Sequence, residues 1–235
     1  MTPRRLPLLR PLLLLAACAA LLAACAGTPV PDWQVNAHDA AERASAAYLR
    51  GDDRVAAQEW QRARAELART GQPALLARLE LMACAAQTAS LAGAGCPAFE
   101  ALRADALPAE QAYADYLAGR ATPAQAALLP PGQRGAAANV AAIAGMADPL
   151  ARLVAAGAAL QAGRATPELL ALASDTASAQ GWRRPLLAWL LLRVQRAEQI
   201  GDAALAERLR RRVALVESAG RPITPPAAPA QPPNN

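Results

Sequence analysis

The sequence predicts an all-α protein built of antiparallel helical hairpins, and three observations carry that expectation. Alanine, the strongest helix former, recurs along the whole chain, while aromatic residues make up only 3% of it. No stretch alternates β-branched or aromatic residues with polar ones, as a half-buried strand would. Helix-ending and helix-starting signals also come in pairs. Gly119-Arg120-Ala121-Thr122-Pro123 recurs as Gly163-Arg164-Ala165-Thr166-Pro167, with leucine- and alanine-rich sequence on both sides of each copy. Glycine there ends a helix in the left-handed conformation, threonine caps the next helix and proline takes its first position. Gly51-Asp52 and Gly201-Asp202 make two similar corners.

The chain opens with Arg4, Arg5 and Arg10, then a leucine-rich run, then small residues up to Cys25. That order is a secretory signal. The run from Pro11 to Ala24 is shorter than the roughly 20 apolar residues of a spanning helix. Leu22-Ala23-Ala24-Cys25 resembles the bacterial lipobox. The resemblance covers only the export segment, and it implies removal of residues 1–24, diacylglycerol on the Cys25 sulfur and an acyl group on its new amine. Two acyl signals matter because one chain alone gives only marginal membrane binding. Leu15-Ala16-Ala17-Cys18 also fits, but cutting there would leave a very short apolar region. Ala26, where inner-membrane lipoproteins carry aspartate, implies the periplasmic face of the outer membrane.

The formal charge of +5 includes the three signal arginines and no signal acid, so the mature chain is nearer neutral. That balance does not point to nucleic acid. All basic residues but His38 are arginine, a bias shared with the alanine excess and read as one of coding.

Residues 25–35 read as a lipidated tether, since Pro29 and Pro31 discourage a helix. Trp33 is either an interfacial anchor or packed against the first helix, and packing is the preferred reading. Asn36 fits an N-cap with Asp39 in the capping-box position, and His38 is a solvated residue of that first turn. Helix one is expected over about 37–50 and helix two over about 53–70. A Gly-Asp turn followed by Ala56, Trp60 and Ala63 resembles the tetratricopeptide repeat hairpin, in which small residues let helices touch and an aromatic fills the gap. The resemblance is partial, because alanines (Ala40, Ala44, Ala47) stand where larger residues are expected. It implies an irregular TPR-like α-solenoid over residues 36–218.

Helix three starts behind Pro73, carries Leu75, Leu76, Leu79, Met82, Cys84 and Ala86, and is expected to end at Gly93 and Gly95. Pro97 starts a short helix with Phe99 and Leu102. Pro108 starts another, with Tyr113, Tyr116 and Leu117 at helical spacing; the tyrosines read as a packed pair with wet hydroxyls. Cys84 and Cys96 are the cysteines left after Cys18 and Cys25. In an oxidising periplasm they are expected to form a disulfide stapling one hairpin. Two cysteines and one distant histidine do not supply the usual ligands of a zinc site.

The two Gly-Arg-Ala-Thr-Pro copies lie 44 residues apart, while Gly51 to Gly119 is 68, near twice the roughly 34-residue repeat period. Between them Pro130-Pro131-Gly132 reads as a loop and about 133–146 as a helix. Pro149 starts a helix through Ala162, and Thr166 another to about 180. Pro185–Gln199, with Leu186, Leu187, Trp189, Leu190, Leu191, Leu192 and Val194, looks apolar all round and therefore central, with Arg193 and Arg196 as its wet edge. The last helix, about 203–217, has a basic face of Arg208, Arg210, Arg211 and Arg212, flanked by Glu207 and Glu217 and read as solvated. Residues 219–235 are Pro-rich and expected to be a disordered tail.

No nucleophile elbow, metal-ligand pair, phosphate loop or cysteine–histidine pair appears. Ser174-Asp175 and Asp115 sit in helices without a visible partner. The chain is therefore expected to be a non-catalytic, lipid-anchored periplasmic adaptor, without cofactor or metal, that binds a protein or peptide partner in envelope assembly or maintenance. The combination resembles outer-membrane lipoproteins with tetratricopeptide-like domains. Stacked hairpins present a groove, and Tyr113, Tyr116, Arg152 and Trp182 are the candidate partner-binding residues. The alternatives are a cell-wall enzyme with a carboxylate acid and a structural lipoprotein whose partner is itself.

Overall fold

A computed structural model describes residues 29–93 and 95–219 of the 235-residue chain. The export segment, Cys25 and the Pro-rich tail lie outside the described residues. Every regular element among the described residues is helical.

Helices α1 (Asp32–Arg50) and α2 (Asp53–Ala68) form the first antiparallel hairpin. Gly51, at φ 88°, ends α1 in the left-handed region, and the Asp52 carboxylate accepts from the Val55 N–H at 3.2 Å. The expected Asn36 cap is not used, because α1 already starts at Asp32 behind Pro31. A proline at the very start of a helix forfeits no intrahelical bond, and the extra turn brings half-buried Trp33 onto the same packed face as Ala37. His38 is exposed and pairs with Glu42 one turn on, at 3.3 Å.

Helix α3 (Pro73–Ala89) is the hub of the molecule. Leu79 and Ala83 face a first core made with α1 and α2. Ala77, Leu81, Cys84, Ala85 and Ala89 face a second, larger core. The helix ends before the glycines that were expected to stop it. Leu91 takes the left-handed conformation at φ 55°, and the Ala92 N–H returns to the Gln87 carbonyl at 2.9 Å. A non-glycine residue there costs about 1–2 kcal/mol, offset by packing of the Leu91 side chain on the main core. Cys84 and Cys96 lie at disulfide distance, with Cα atoms 5.5 Å apart, and tie α3 to the start of the short helix α4 (Pro97–Glu100).

A 3₁₀ turn (Arg103–Asp105) leads to α5 (Pro108–Leu117), then one-turn α6 (Pro123–Ala126) and α7 (Pro131–Ala138). Pro131 belongs to a helix after all, as its first residue, and the helix stops at Asn139 instead of running to 146. The Asn139 side chain accepts from the Ala141 N–H at 3.0 Å and starts a 3₁₀ segment, Val140–Gly145. Then follow α8 (Pro149–Gln161), α9 (Pro167–Ala179), α10 (Arg183–Gln199) and α11 (Ala203–Ala219), packed as successive neighbours.

The repeated corners behave as their chemistry requires. Gly119 (φ 73°) and Gly163 (φ 69°) are left-handed, and Thr122 and Thr166 each accept from the backbone N–H three residues on, at 3.3 Å. They also meet in space. A Cβ on Gly119 would sit 2.5 Å from the Ala162 nitrogen, at the end of α8.

The longest unbroken run of buried residues lies in α8, not α10. Every residue from Leu153 to Ala159 is buried, and a Cβ on Gly157 would sit 2.3 Å from the Thr88 carbonyl oxygen, so α3 and α8 touch backbone to backbone. Helix α10 buries Trp189 and Leu190 fully and leaves Leu191 51% exposed. Its packed face is satisfied by α9, α11 and the end of α3, where the Trp189 indole N–H donates to the Ala89 carbonyl at 3.0 Å. Arg193 is not a wet edge either: it is partly buried and donates to the buried Ser174 hydroxyl at 2.7 Å.

A long-range closure ties the first hairpin to α10. Arg184 of α10 donates to the Tyr48 carbonyl at 2.7 Å, reaches Asp53, and lies 4.3 Å from the centre of the Tyr48 ring. The first hairpin is thus fastened to a helix far along the chain.

Candidate functional site: an apolar groove over helices α3 and α5

An open groove of about 430 Å³ runs between α3, α5 and the segment before α7. Helix α3 contributes Arg78, Leu81, Met82 and Ala85, the one-face spacing of a 3.6-residue helix. Helix α5 contributes Ala109, Glu110 and Tyr113, and the approach to α7 contributes Leu128, Leu129 and Pro130. The groove continues past Met82, Ala85, Tyr113 and Pro130 into a second stretch of about 320 Å³. That stretch is bounded by Ser45 of α1, Gln133 of α7, and Asp148, Leu150 and Val154 around the start of α8.

Its lining is mainly apolar, and two large side chains on it stay in water: Met82 is 42% and Leu128 48% exposed. At one end Arg78 pairs with Glu110, whose other oxygen accepts from the Leu107 N–H at 2.7 Å at the start of α5. Glu110 is therefore spoken for by the fold, while Arg78 keeps half of its side chain exposed.

The floor is stiffened by a buried relay. Tyr113 and Tyr116 stack with ring centres 6.1 Å apart. Tyr116 is not wet at its hydroxyl, as the sequence had suggested: the group donates to Gln133 Oε1 at 2.8 Å, and Gln133 Nε2 donates to the Ala151 carbonyl at 3.0 Å. That chain joins α5, α7 and α8 and satisfies polar groups whose burial would otherwise cost about 1–3 kcal/mol each. Burial pushes the Tyr113 hydroxyl up to about 12 and raises Tyr116 as well. Both phenols stay protonated, and Tyr116 donates.

Of the residues singled out from sequence, Tyr113 lines the groove. Tyr116 lies beneath it, 3% exposed. Arg152 is partly buried and donates to the Met146 carbonyl and the Thr176 hydroxyl, holding the 3₁₀ segment against α8 and α9. Trp182 stands just before α10, packed against the main core. The four are not brought together. Sequence reasoning listed Met82 among the apolar residues of helix three, read Pro130 as part of a loop and passed over Leu128. The patterns of Met82 and Leu128 match those of core residues, and only the placement of α5 and α7 leaves them uncovered.

The carboxylates that looked partnerless are paired. Asp115 accepts from Arg103 at 3.0 Å, Arg120 at 3.1 Å and Gln125 at 2.7 Å. Burial pushes the Asp115 carboxyl up, but hydrogen bonds from Gln125 and Arg103 and the charges of Arg103 and Arg120 outweigh it and hold the group below its usual range. Hydrogen bonding to Arg103 likewise lowers Glu100. Asp175 lies 3.6 Å from Arg212. These are charge anchors between segments, and the shifts of Asp115 and Glu100 run opposite to the direction a general acid needs.

Among the described residues no group of three or more histidine, cysteine, aspartate or glutamate side chains is placed to hold a metal ion, and no helix is long and apolar enough to cross a membrane. The basic face of α11 is largely engaged by acids, with Arg210 pairing Glu198 and Glu207, Arg211 pairing Glu207 and Arg212 meeting Asp175. No protein-family model, curated protein or solved structure matches this chain.

Proposed function

We propose that this chain is a lipid-anchored helical adaptor at the periplasmic face of the outer membrane, and that the groove over Met82, Tyr113 and Pro130 receives a protein or peptide partner of the envelope. The address rests on the lipobox-like sequence ending at Cys25. The docking role rests on one observation: exposed Met82 and Leu128 converge with Tyr113 on a concave apolar surface backed by a rigid buried relay. Methionine and leucine beside an aromatic make a surface that adapts to apolar segments, and a pre-stiffened floor lowers the ordering cost of binding.

A photo-crosslinking residue at position 128 of the membrane-anchored protein tests the reading in living cells. A discrete crosslinked envelope protein is expected, lost on Met82→Glu. A pattern identical to that from position 215, an exposed site on α11 away from the groove, would sink it. Cys25→Ser is expected to abolish processing at residue 25 and release the protein from the membrane fraction.

A further inference from the structure

We infer that the groove is covered in the resting protein by the chain's own Pro-rich segment, residues 228–235. The inference rests on the groove being a docking surface, and three observations argue for this occupant.

The first is where the folded chain ends. Arg183 donates to the Val216 carbonyl at 3.3 Å, and its Nη1 lies 3.3 Å from where a Cβ on Gly51 would sit. The end of α11 is therefore one guanidinium away from the end of α1. Ser45, which lines the groove, lies six residues back along α1, about 9 Å at the helical rise. With the last turn of α11 included, the root of the tail is within about 25 Å of the groove.

The second is reach. Sixteen residues follow Ala219. Prolines at 222, 225, 226, 229, 232 and 233 favour the extended polyproline conformation, which spans about 3.1 Å per residue, or about 50 Å in all. About half of that length bridges the gap, and the rest is free to lie in the groove.

The third is chemistry. Residues 222–235 carry no charged side chain, and most of their side chains are proline and alanine, so charge does not oppose contact with an apolar lining. Pro-rich segments dock on aromatic-lined grooves because their conformation is already ordered. The groove offers the Tyr113 ring beside Pro130, Met82 and Leu128. Tethering also favours occupancy, since a short linker gives an effective concentration on the order of millimolar. Even a weak intrinsic affinity then fills the site.

The experiment uses the mature chain from Ala26 and the same chain ending at Ala219. Both cores and all described hydrogen bonds lie within residues 29–219, so the shorter chain keeps the whole packed unit. Only Met82 and Met146 carry methionine methyls in these chains, which makes a ¹³C-methyl spectrum simple. The Met82 methyl is expected to shift between the two chains. A synthetic peptide of residues 222–235, added to the shorter chain, should move it back toward its position in the longer one. The peptide should bind the longer chain about tenfold more weakly, as competition with a tethered copy requires. Met82→Glu, or Leu128→Glu if the first variant folds poorly, should abolish binding to the shorter chain.

Equal peptide affinity for both chains, or no binding to either, would overturn the inference. So would a Met82 shift that grows with protein concentration, which would mean a second copy occupies the groove. Failure of the peptide while position 128 still captures an envelope partner removes the tail and leaves the adaptor standing. Peptide binding with no captured partner does the reverse.

Discussion

The molecule has two cores, and they are built differently. The first, between α1, α2 and one face of α3, is mostly alanine: Ala37, Ala40, Ala41, Ala44 and Ala63, with Trp60, Leu67, Leu79 and Ala83. Its helices approach closely and bury little area per residue. Partly buried ion pairs lace its edge, Arg43 to Glu59 at 3.0 Å and Arg64 to Glu80 at 2.6 Å. The second core holds the large side chains, including fully buried Trp189, Phe99, Leu117, Ile143 and Leu153. Apolar burial contributes about 25 cal/mol per Å², so side-chain size decides which region dominates stability. Alanine lets helices meet; leucine, tryptophan and phenylalanine hold them there. The first hairpin is therefore the element expected to open on its own, restrained by α3 and by the Arg184 fastening.

The sharpest way to break the comparison is to remove one tryptophan from each core. Trp189→Ala should cost about 3–5 kcal/mol, with the Ala89 carbonyl losing its donor as well, and denaturant unfolding should show a global loss. Trp60→Ala should instead speed hydrogen exchange of α1 and α2 amides while α8 and α9 keep their protection. Equal loss of protection in both regions would mean a single cooperative unit.

Next in size is the Cys84–Cys96 bond, which acts on the larger core. Closing a loop of this length stabilises by about 3 kcal/mol in the chain-entropy picture. Reduction should lower the midpoint of the main transition and leave exchange in the first hairpin almost unchanged. Thiol titration of the unfolded, unreduced chain lacking Cys25 should find no free thiol.

Arg184→Met should have a smaller effect, about 1–2 kcal/mol, from losing charge-assisted bonds to the Tyr48 carbonyl and Asp53. Its signature is spatial: exchange should rise in α1 and α2 and not in α11. The smallest effect is that of pH. Asp115 and Glu100 are depressed in the folded state, so their contribution is present above their unfolded values and fades as pH falls through the folded ones. Stability should therefore decline below about pH 4, and Asp115→Asn should flatten that part of the profile. Both carboxylates belong to the α4–α5 side of the main core, so the decline should spare the first hairpin.

Much of this architecture was legible in the sequence. The two Gly-Arg-Ala-Thr-Pro corners and the two Gly-Asp corners act through bonds between near neighbours, so residue order alone specifies them. The cysteine pairing was legible on the expectation that Cys18 and Cys25 belong to the export segment, which leaves Cys84 and Cys96. The start of α1 was not, since Pro31 serves equally to forbid a helix or to precede one. The end of α3 was not, because Leu91 adopts a glycine-like conformation that only its packing on the main core sustains. The groove was the least legible. Tyr113 was found because it is a large aromatic in an alanine-rich chain, but Met82 has the spacing of a core residue.

The sequence by itself determined the all-helical class and the glycine corners, because these are decided by composition and by contacts within a few residues. Only the tertiary structure decided that α8 carries the longest buried run, that Arg184 reaches back to α1, and that Met82 and Leu128 are left open beside Tyr113. Those outcomes depend on which of several similar apolar faces finds a partner. That choice is made by packing across the whole molecule, where alanine-rich faces resemble one another and a single glycine against a carbonyl sets which two helices can touch.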